Sequence, residues 1–437
     1  MEQIIFSIPR EREKLAQRLA RRSVLFDRSL LADVARIFTD VAERGDEAIR
    51  AATVLHDRVD LSDIRISTEQ LAAYTQSIPS DLRDAIEVGI RNIEEVNQAL
   101  LPTSWEKEIR PGTVVGERVT PLETVGLWVP TQKGPLISTA LMLTVAARVA
   151  GVKRIVVGMP PRSDGTADAG TVAAANLAGA HEVLLGNGVA MIGGFTLGTE
   201  SVSEVDGIFG PGPGAIAAAM ATAYSYGKRT VMGIGPTEAM ILADESTAPG
   251  VLARDLMNEA EHGPDSAAVL VTTSRSVAEG AAVEMKKLTA SVQADRRAFL
   301  EHVFGKKGMG CIVVTPDLDA ACALVNRFAP EHLMISCAEE TTREALEKIT
   351  HAGEILLGHS TPFSAANYGI GITAVLPTNG FARSFSGVTC RDMLTYSTVG
   401  ALDAQALEQL WPTIRTLGDY EGFPCHVDAA QVRVDMR

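Results

Sequence analysis

Four short segments of this sequence bring together side chains that can move protons or hold a metal. The first is Asn258-Glu259-Ala260-Glu261-His262-Gly263-Pro264-Asp265-Ser266. Apolar Val251, Leu252, Leu256 and Ala260 predict a helix from about Pro249 to His262, stopped by Gly263-Pro264. Three positions apart, Glu259 and His262 share a face at its C-terminal end. A carboxylate oxygen and an imidazole nitrogen so placed suit a divalent ion such as zinc. The same pair also reads as a solvated Glu beside a His⁺ that favours the helix dipole. The second segment is Ala329-Pro330-Glu331-His332-Leu333, entering a strand over 333–336. Histidine is suited to general-base work near neutral pH. Adjacent strand residues point to opposite faces, so Glu331 and His332 share a pocket only if the backbone there is irregular, which Pro330 allows. The third segment is Ala366-Asn367-Tyr368-Gly369-Ile370-Gly371, leading to Val375-Leu376-Pro377-Thr378. The fourth is Tyr420-Glu421-Gly422-Phe423-Pro424-Cys425-His426. Each of the four, taken alone, also has a purely structural reading.

The elements that must position these groups fall into three stretches. Over the first hundred residues, apolar and charged residues alternate at helical spacing in Leu30–Arg50 and Leu82–Leu100, with Val34, Ile37 and Phe38 on one face. From about residue 124, β-rich runs alternate with Ala-rich helical stretches such as Ser138–Ala150 and Thr171–Ala178. The runs are Thr124–Val129, Arg154–Gly158, Glu182–Leu185, Thr230–Met232, Ala267–Thr272, Cys311–Val314 and Glu354–Leu357. Buried parallel strands read as continuous apolar runs with helices covering both faces. The pattern predicts an α/β chain with two doubly wound units. Past about residue 390 it predicts a return to helix and a polar extension.

Composition narrows the function. The chain has 437 residues, 46% hydrophobic and 22% charged, the balance of a folded globular protein rather than a disordered one. Its net charge of −14 and the lack of any Lys/Arg run longer than two argue against nucleic-acid binding, which depends on neutralising phosphates. The five cysteines, Cys311, Cys322, Cys337, Cys390 and Cys425, form no C-x-x-C pair and no disulfide framework. MEQIIFSIPRERE does not read as a signal peptide, and Pro135–Ala147 is too short to span a bilayer, so the expectation is a cytoplasmic protein without membrane contact. The phosphate-loop, H-E-x-x-H and G-x-S-x-G motifs are absent. Two Gly-rich turns, Leu185–Ala190 and Phe209–Gly214, either approach a phosphate or simply turn into a helix.

Taken together, the four segments resemble the histidinol dehydrogenase family, over nearly the whole chain. The resemblance is carried by Val125-Gly126-Leu127-Trp128-Val129-Pro130, Gly198-Thr199-Glu200-Ser201-Val202, Ile208-Phe209-Gly210-Pro211-Gly212, Gly235-Pro236-Thr237-Glu238, Ala260–Ser266, Pro330-Glu331-His332-Leu333 and Val375-Leu376-Pro377-Thr378. It implies two Rossmann-like domains in an aldehyde-dehydrogenase-like arrangement, with a helical N-terminal region and a C-terminal tail. It implies Zn2+ and NAD as cofactors, a small-molecule substrate, and a homodimer with a shared active site. By motif, His332 would take the alcohol proton and Glu331 would activate water. Glu259, His262, Asn367 and His426 would hold the metal, the last from the neighbouring chain. Thr237 and Glu421 would line the substrate pocket, and Trp128, Ala190 and Pro213 fall where the family holds NAD. The implied division is an arm over 1–27, a first Rossmann-like domain over 28–128 and 237–388, a second over 129–236 on the NAD side, and a tail over 389–437 reaching the partner.

The sequence departs from the family pattern at the positions that matter most. A metal-ligand Gln becomes Glu259 while a metal-ligand Asp becomes Asn367, so the ligand set keeps one negative charge. At the NAD positions a Tyr becomes Trp128, a Gln becomes Ala190 and an Asn becomes Pro213; each lost polar contact is worth roughly 0.5–1.5 kcal/mol. Thr373-Ala374 replaces a segment that carries an imidazole in the family. The expectation is a zinc-dependent, NAD-linked dehydrogenase of a small polar alcohol other than histidinol, acting through the aldehyde to the acid. The alternative is a member that has lost NAD and uses the same zinc/Glu/His site as a hydrolase or lyase.

Overall fold

The computed structural model describes residues 5–11, 13–15, 18, 28–132, 134–212, 214–231 and 235–436. Its strands in chain order are β1 (Ile5–Ser7), β2 (Trp105–Arg110), β3 (Thr113–Pro121), β4 (Thr124–Trp128) and β5 (Arg154–Met159). They continue with β6 (Glu182–Leu185), β7 (Gly207–Phe209), β8 (Arg229–Thr230), β9 (Glu238–Ala243) and β10 (Ala267–Thr272). The last are β11 (Cys311–Val314), β12 (His332–Ser336), β13 (Glu354–Leu357) and β14 (Leu394–Leu402). The chain forms two compact units, Met1–Leu100 with Glu123–Met393, and Leu101–Leu122 with Leu394–Arg437.

The first unit holds two parallel sheets. One has the order β6-β5-β4-β7-β8 and the other β1-β11-β10-β9-β12-β13, every neighbouring pair parallel. With β1 left aside, each sheet runs third, second, first, fourth, fifth strand, the doubly wound order of a Rossmann-type fold. In the six-stranded sheet β1 is added at the outer edge, so this part of the expected arm is a strand. The central strands β9, β10 and β12 are buried at every residue, as continuous apolar runs require. Strands β7 and β9 escaped the reading of the runs, β7 because it is only three residues long and opens with Gly207. The expected strand Thr230–Met232 is realised as β8 at Arg229–Thr230; Met232 lies outside the described residues.

The helices over 28–100 pack with the five-stranded sheet rather than with the six-stranded one. Arg28–Arg44 lies on Gly188–Leu197 and Ala215–Ser225, Thr68–Ser77 on Ala169–Ala178, and Ser80–Leu100 on Ile137–Ala150. Strand β4 pairs with β5 and β7. The segment 28–100 lies in one compact unit with 123–393. Its apolar faces, such as Val34, Phe38 and Val41, join the core around Trp128, Met191 and Phe195.

The second unit corrects the expectation of a helical tail. Strand β14 pairs antiparallel along all of β3, and β3 pairs with β2, so a three-stranded sheet precedes the helices Ala404–Glu421 and Pro424–Asp435. Both β2 and most of β14 are exposed, which removes the clean in–out alternation that marks a half-buried strand.

Candidate active site

Period-two alternation decides which side chains of the six-stranded sheet meet. Met334 and Leu356 join the core cluster that includes Leu252, Leu256, Ala260, Phe363 and Ala366, whereas Leu333 and Ile335 join the cluster on the other face. His332 and Glu354, two residues from Met334 and Leu356, therefore face the helices Pro249–Ala260 and Phe363–Tyr368. Each opens its strand, so the pair stands at the amino edge of the sheet. A crossover helix runs back against its strands, so the C-terminal turn of Pro249–Ala260 reaches that same edge with Glu259.

The geometry there is specific. His332 Nδ1 lies 2.5 Å from Glu354 Oε1, and its Nε2 lies 3.7 Å from Glu331 Oε1. The Phe363 ring meets the imidazole edge-on, with centroids 5.9 Å apart and planes at 71°. Glu331 precedes β12 and leaves a turn in which Ala329 has φ 52° and ends the helix Leu318–Phe328. That irregular backbone lets Glu331 and His332 address one site. The turn is pinned by backbone bonds from Gly353 to Pro330 and from Glu354 to Glu331, each 2.9 Å. Glu331 Oε2 accepts from the Glu238 backbone N–H at 2.9 Å, and Glu238 Oε1 accepts from Asn379 N–H at 3.0 Å.

Glu331, His332 and Glu354 are 6%, 4% and 7% exposed, so their charges are felt strongly. Burial raises the Glu331 carboxyl, and although the His332 charge and the Glu238 amide oppose this, the neighbouring carboxylates leave it well above the usual range. Burial disfavours the His332 imidazolium, but Glu331, Glu259 and Glu354 outweigh it and pull the histidine upward. Asp255, one turn before Glu259, is pushed up to about 6 by burial and then by Glu259. The site is thus a carboxylate cluster around one histidine, suited to exchanging a proton with a bound group.

Glu259 is buried and His262 half-exposed, with Oε2 and Nε2 3.6 Å apart; the Asn258 amide donates to Glu259 Oε1 at 2.8 Å. Among the described residues no group of three or more His, Cys, Asp or Glu is placed to hold a metal ion. The pair fits a metal by donor type and supplies half of a four-coordinate shell. Asn367 follows Ala366 at the end of the helix Phe363–Tyr368, which packs on Pro249–Ala260. Thr237 directly precedes β9, its carbonyl accepting from Ala267 N–H at 2.9 Å. Glu421 and His426 belong to the second unit, both exposed, with the His426 ring 5.1 Å from that of Phe423.

Two of the residues expected toward NAD are core side chains. Trp128 and Ala190 are both 0% exposed, within the core of the five-stranded sheet. The glycines of the two turns serve packing: a Cβ on Gly188 would stand 2.5 Å from Ile216 Cδ1 and 2.7 Å from Trp128 Cζ2, and one on Gly210 2.2 Å from the Trp128 carbonyl. Trp128 Nε1 is buried with no hydrogen-bond partner among the described residues. Pro213 lies outside the described residues. Neither Trp128 nor Ala190 offers an exposed side chain to a dinucleotide.

Sequence reasoning missed Glu238 and Glu354. Each is a carboxylate opening an otherwise apolar strand run, Glu238-Ala239-Met240-Ile241 and Glu354-Ile355-Leu356-Leu357, and Glu238 also ends the segment Gly235-Pro236-Thr237-Glu238.

Comparison with known proteins bears on this arrangement. A family model described as histidinol dehydrogenase matches residues 20–434. A histidinol dehydrogenase of Synechocystis is 40% identical over 428 residues, covering 96% of each chain. A protein of Mesorhizobium japonicum called histidinol dehydrogenase homolog 2 is 39% identical over 398 residues, covering 90% of this chain and 89% of its own. The crystal structure of histidinol dehydrogenase from Elizabethkingia anophelis superposes with a TM-score of 0.92 at 29% identity, covering 99% and 98% of the two chains.

Proposed function

Because the chain belongs to the histidinol dehydrogenase family, and so is a histidinol-dehydrogenase-like enzyme, we propose that it oxidises a small polar alcohol other than histidinol, through the aldehyde to the acid, with NAD as hydride acceptor. The observation that carries this reading is His332, held at the amino edge of the six-stranded sheet between Glu331 and Glu354. Its Nε2 takes the alcohol proton. Glu331, anchored through Oε2 to the Glu238 amide, keeps Oε1 on the Nε2 side, where it draws a proton from water in the aldehyde step. A zinc ion held by Glu259 and His262, with Asn367 and a second copy's His426, would polarise the substrate oxygen. Support for a substrate other than histidinol comes from Asn367 and Thr373-Ala374, and from relatives of similar identity that are themselves called homologs.

The same reading makes the enzyme a cytoplasmic homodimer whose second unit carries Glu421 and His426 to the neighbouring site. That unit exposes Trp105, Ile109, Tyr396, Leu417 and Phe423, apolar side chains of the kind a partner subunit covers. Among the described residues no helix is long and apolar enough to cross a membrane.

Trp128 and Ala190 are wholly buried and offer NAD no side-chain surface. That burial favours a second reading, a hydrolase or lyase using zinc, Glu331 and His332 without a hydride acceptor. Calorimetry of NAD⁺ against the zinc-loaded protein separates the two. Micromolar to millimolar binding, followed by NADH formation on an alcohol panel including histidinol, is the expected result. No heat of binding at millimolar NAD⁺ would remove the dehydrogenase reading and leave the hydrolase or lyase.

A further inference from the structure

We infer that Glu354 is the positioning residue of the site, fixing His332 with its proton on Nδ1 and the Nε2 lone pair toward the substrate. The inference rests on the reading of His332 as the base, and adds what makes it one. Its first support is register. Strands β12 and β13 run parallel with His332 opposite Glu354, so the two side chains are held on one face by backbone pairing before any side-chain contact forms. The resulting Nδ1–Oε1 separation is 2.5 Å, with both residues buried. With Glu354 Oε1 accepting, Nδ1 carries a proton, and when the ring, which the surrounding carboxylates favour as imidazolium, gives up one proton, the nitrogen left to accept is Nε2. That nitrogen faces Glu331, at 3.7 Å too far for a hydrogen bond, leaving it free for a substrate proton.

The second support is cost. The strand Glu354–Leu357 is otherwise apolar, and Glu354 Oε2 is buried with no hydrogen-bond partner among the described residues. Burying a carboxylate so poorly satisfied destabilises the fold, and an apolar residue there would stabilise it. What the carboxylate provides in return is orientation of the ring and a counter-charge once Nε2 is protonated. Phe363 completes the hold by packing edge-on against the imidazole. Glu354 touches the ring nitrogen remote from the reacting atoms, so it acts through His332 alone.

The test uses the full chain labelled with ¹⁵N-histidine. The ring signals of His332, identified by their loss in His332→Ala, are expected to show a protonated Nδ1 with a far-downfield proton. That proton should vanish in Glu354→Leu, and in Glu354→Gln the ring should redistribute toward the other tautomer. On a substrate found in the panel above, Glu354→Gln should lower kcat roughly 10²–10⁴-fold, as for an enzyme left with a mis-set tautomer. KM should stay within a few-fold, and Glu354→Asp should recover part of kcat. An unprotonated Nδ1 in the wild-type chain would overturn the inference without any variant. So would wild-type kcat in Glu354→Gln while His332→Ala is inactive. Full turnover in His332→Ala would instead overturn the assignment of the base.

Discussion

Two sheets of one topology sit in the first unit, and they do opposite things with their strand ends. The six-stranded sheet gathers Glu238, Glu331, His332 and Glu354 at the amino edge of β9, β12 and β13. The five-stranded sheet has Gly-rich turns at the carboxyl ends of β6 and β7, the usual binding edge of such folds, yet Trp128 and Ile216 fill the space beside Gly188. The shared strand order predicts neither behaviour; the side chains at the strand ends do. Buried carboxylates make the same contrast. Beside the five-stranded sheet, burial alone would raise Asp46, but Ser201 and Thr199 donate to it and hold it below its ordinary value. On the six-stranded side burial raises Glu331 and Asp255, and neighbouring carboxylates push the same way.

If the chemistry resides at the amino edge of the six-stranded sheet, His332→Ala should lower turnover by roughly 10²–10⁴-fold with metal content unchanged. Steady-state rates and metal analysis on the purified variant check this. Near-wild-type turnover would move the base elsewhere and dissolve the contrast. If the five-stranded sheet is filled rather than open, Trp128→Ala should cost about 3–5 kcal/mol in urea unfolding, the price of emptying a packed core. A loss under about 1 kcal/mol would mean that the carboxyl edge is a loose crevice able to admit a ligand.

The smallest effects come from the carboxylates, and their signs differ. The low folded-state pKa of Asp46 makes its contribution present above its unfolded value and lost as pH falls through the folded one. Asp46→Asn should therefore destabilise by about 1–3 kcal/mol at neutral pH, with the deficit closing in acid. Asp255, raised to about 6, favours folding only at low pH and opposes it as pH rises past that value. Asp255→Asn should accordingly stabilise the metal-free protein at neutral pH, by about 1–2 kcal/mol, and lose that gain toward pH 4. Thermal melts across pH read both. Parallel rather than opposed pH trends would show that the two environments do not differ as described.

Much of this was legible in the chain. Ala267–Thr272 and Cys311–Val314 read as buried strands because a strand covered on both faces has no polar position to break the run. Glu331 and His332 are neighbours in sequence, so their pairing needed only the irregular turn that Ala329 and Pro330 provide. Strand β14 was hidden because its residues, mostly exposed, lack a buried face to impose alternation. Glu354 was hidden because it lies 22 positions from His332 and meets it only through strand register.

By itself, then, the sequence determined the succession of apolar runs and helices that specifies two doubly wound sheets, and the local motifs that mark the family. Those are properties of neighbours along the chain, set by side-chain periodicity and turn chemistry. The tertiary structure alone decided that Glu354 holds His332, that Glu238 anchors Glu331, and that Trp128 is buried beside Gly188. Register between distant strands and burial within a shared core are collective outcomes of packing, and no local stretch of sequence encodes them.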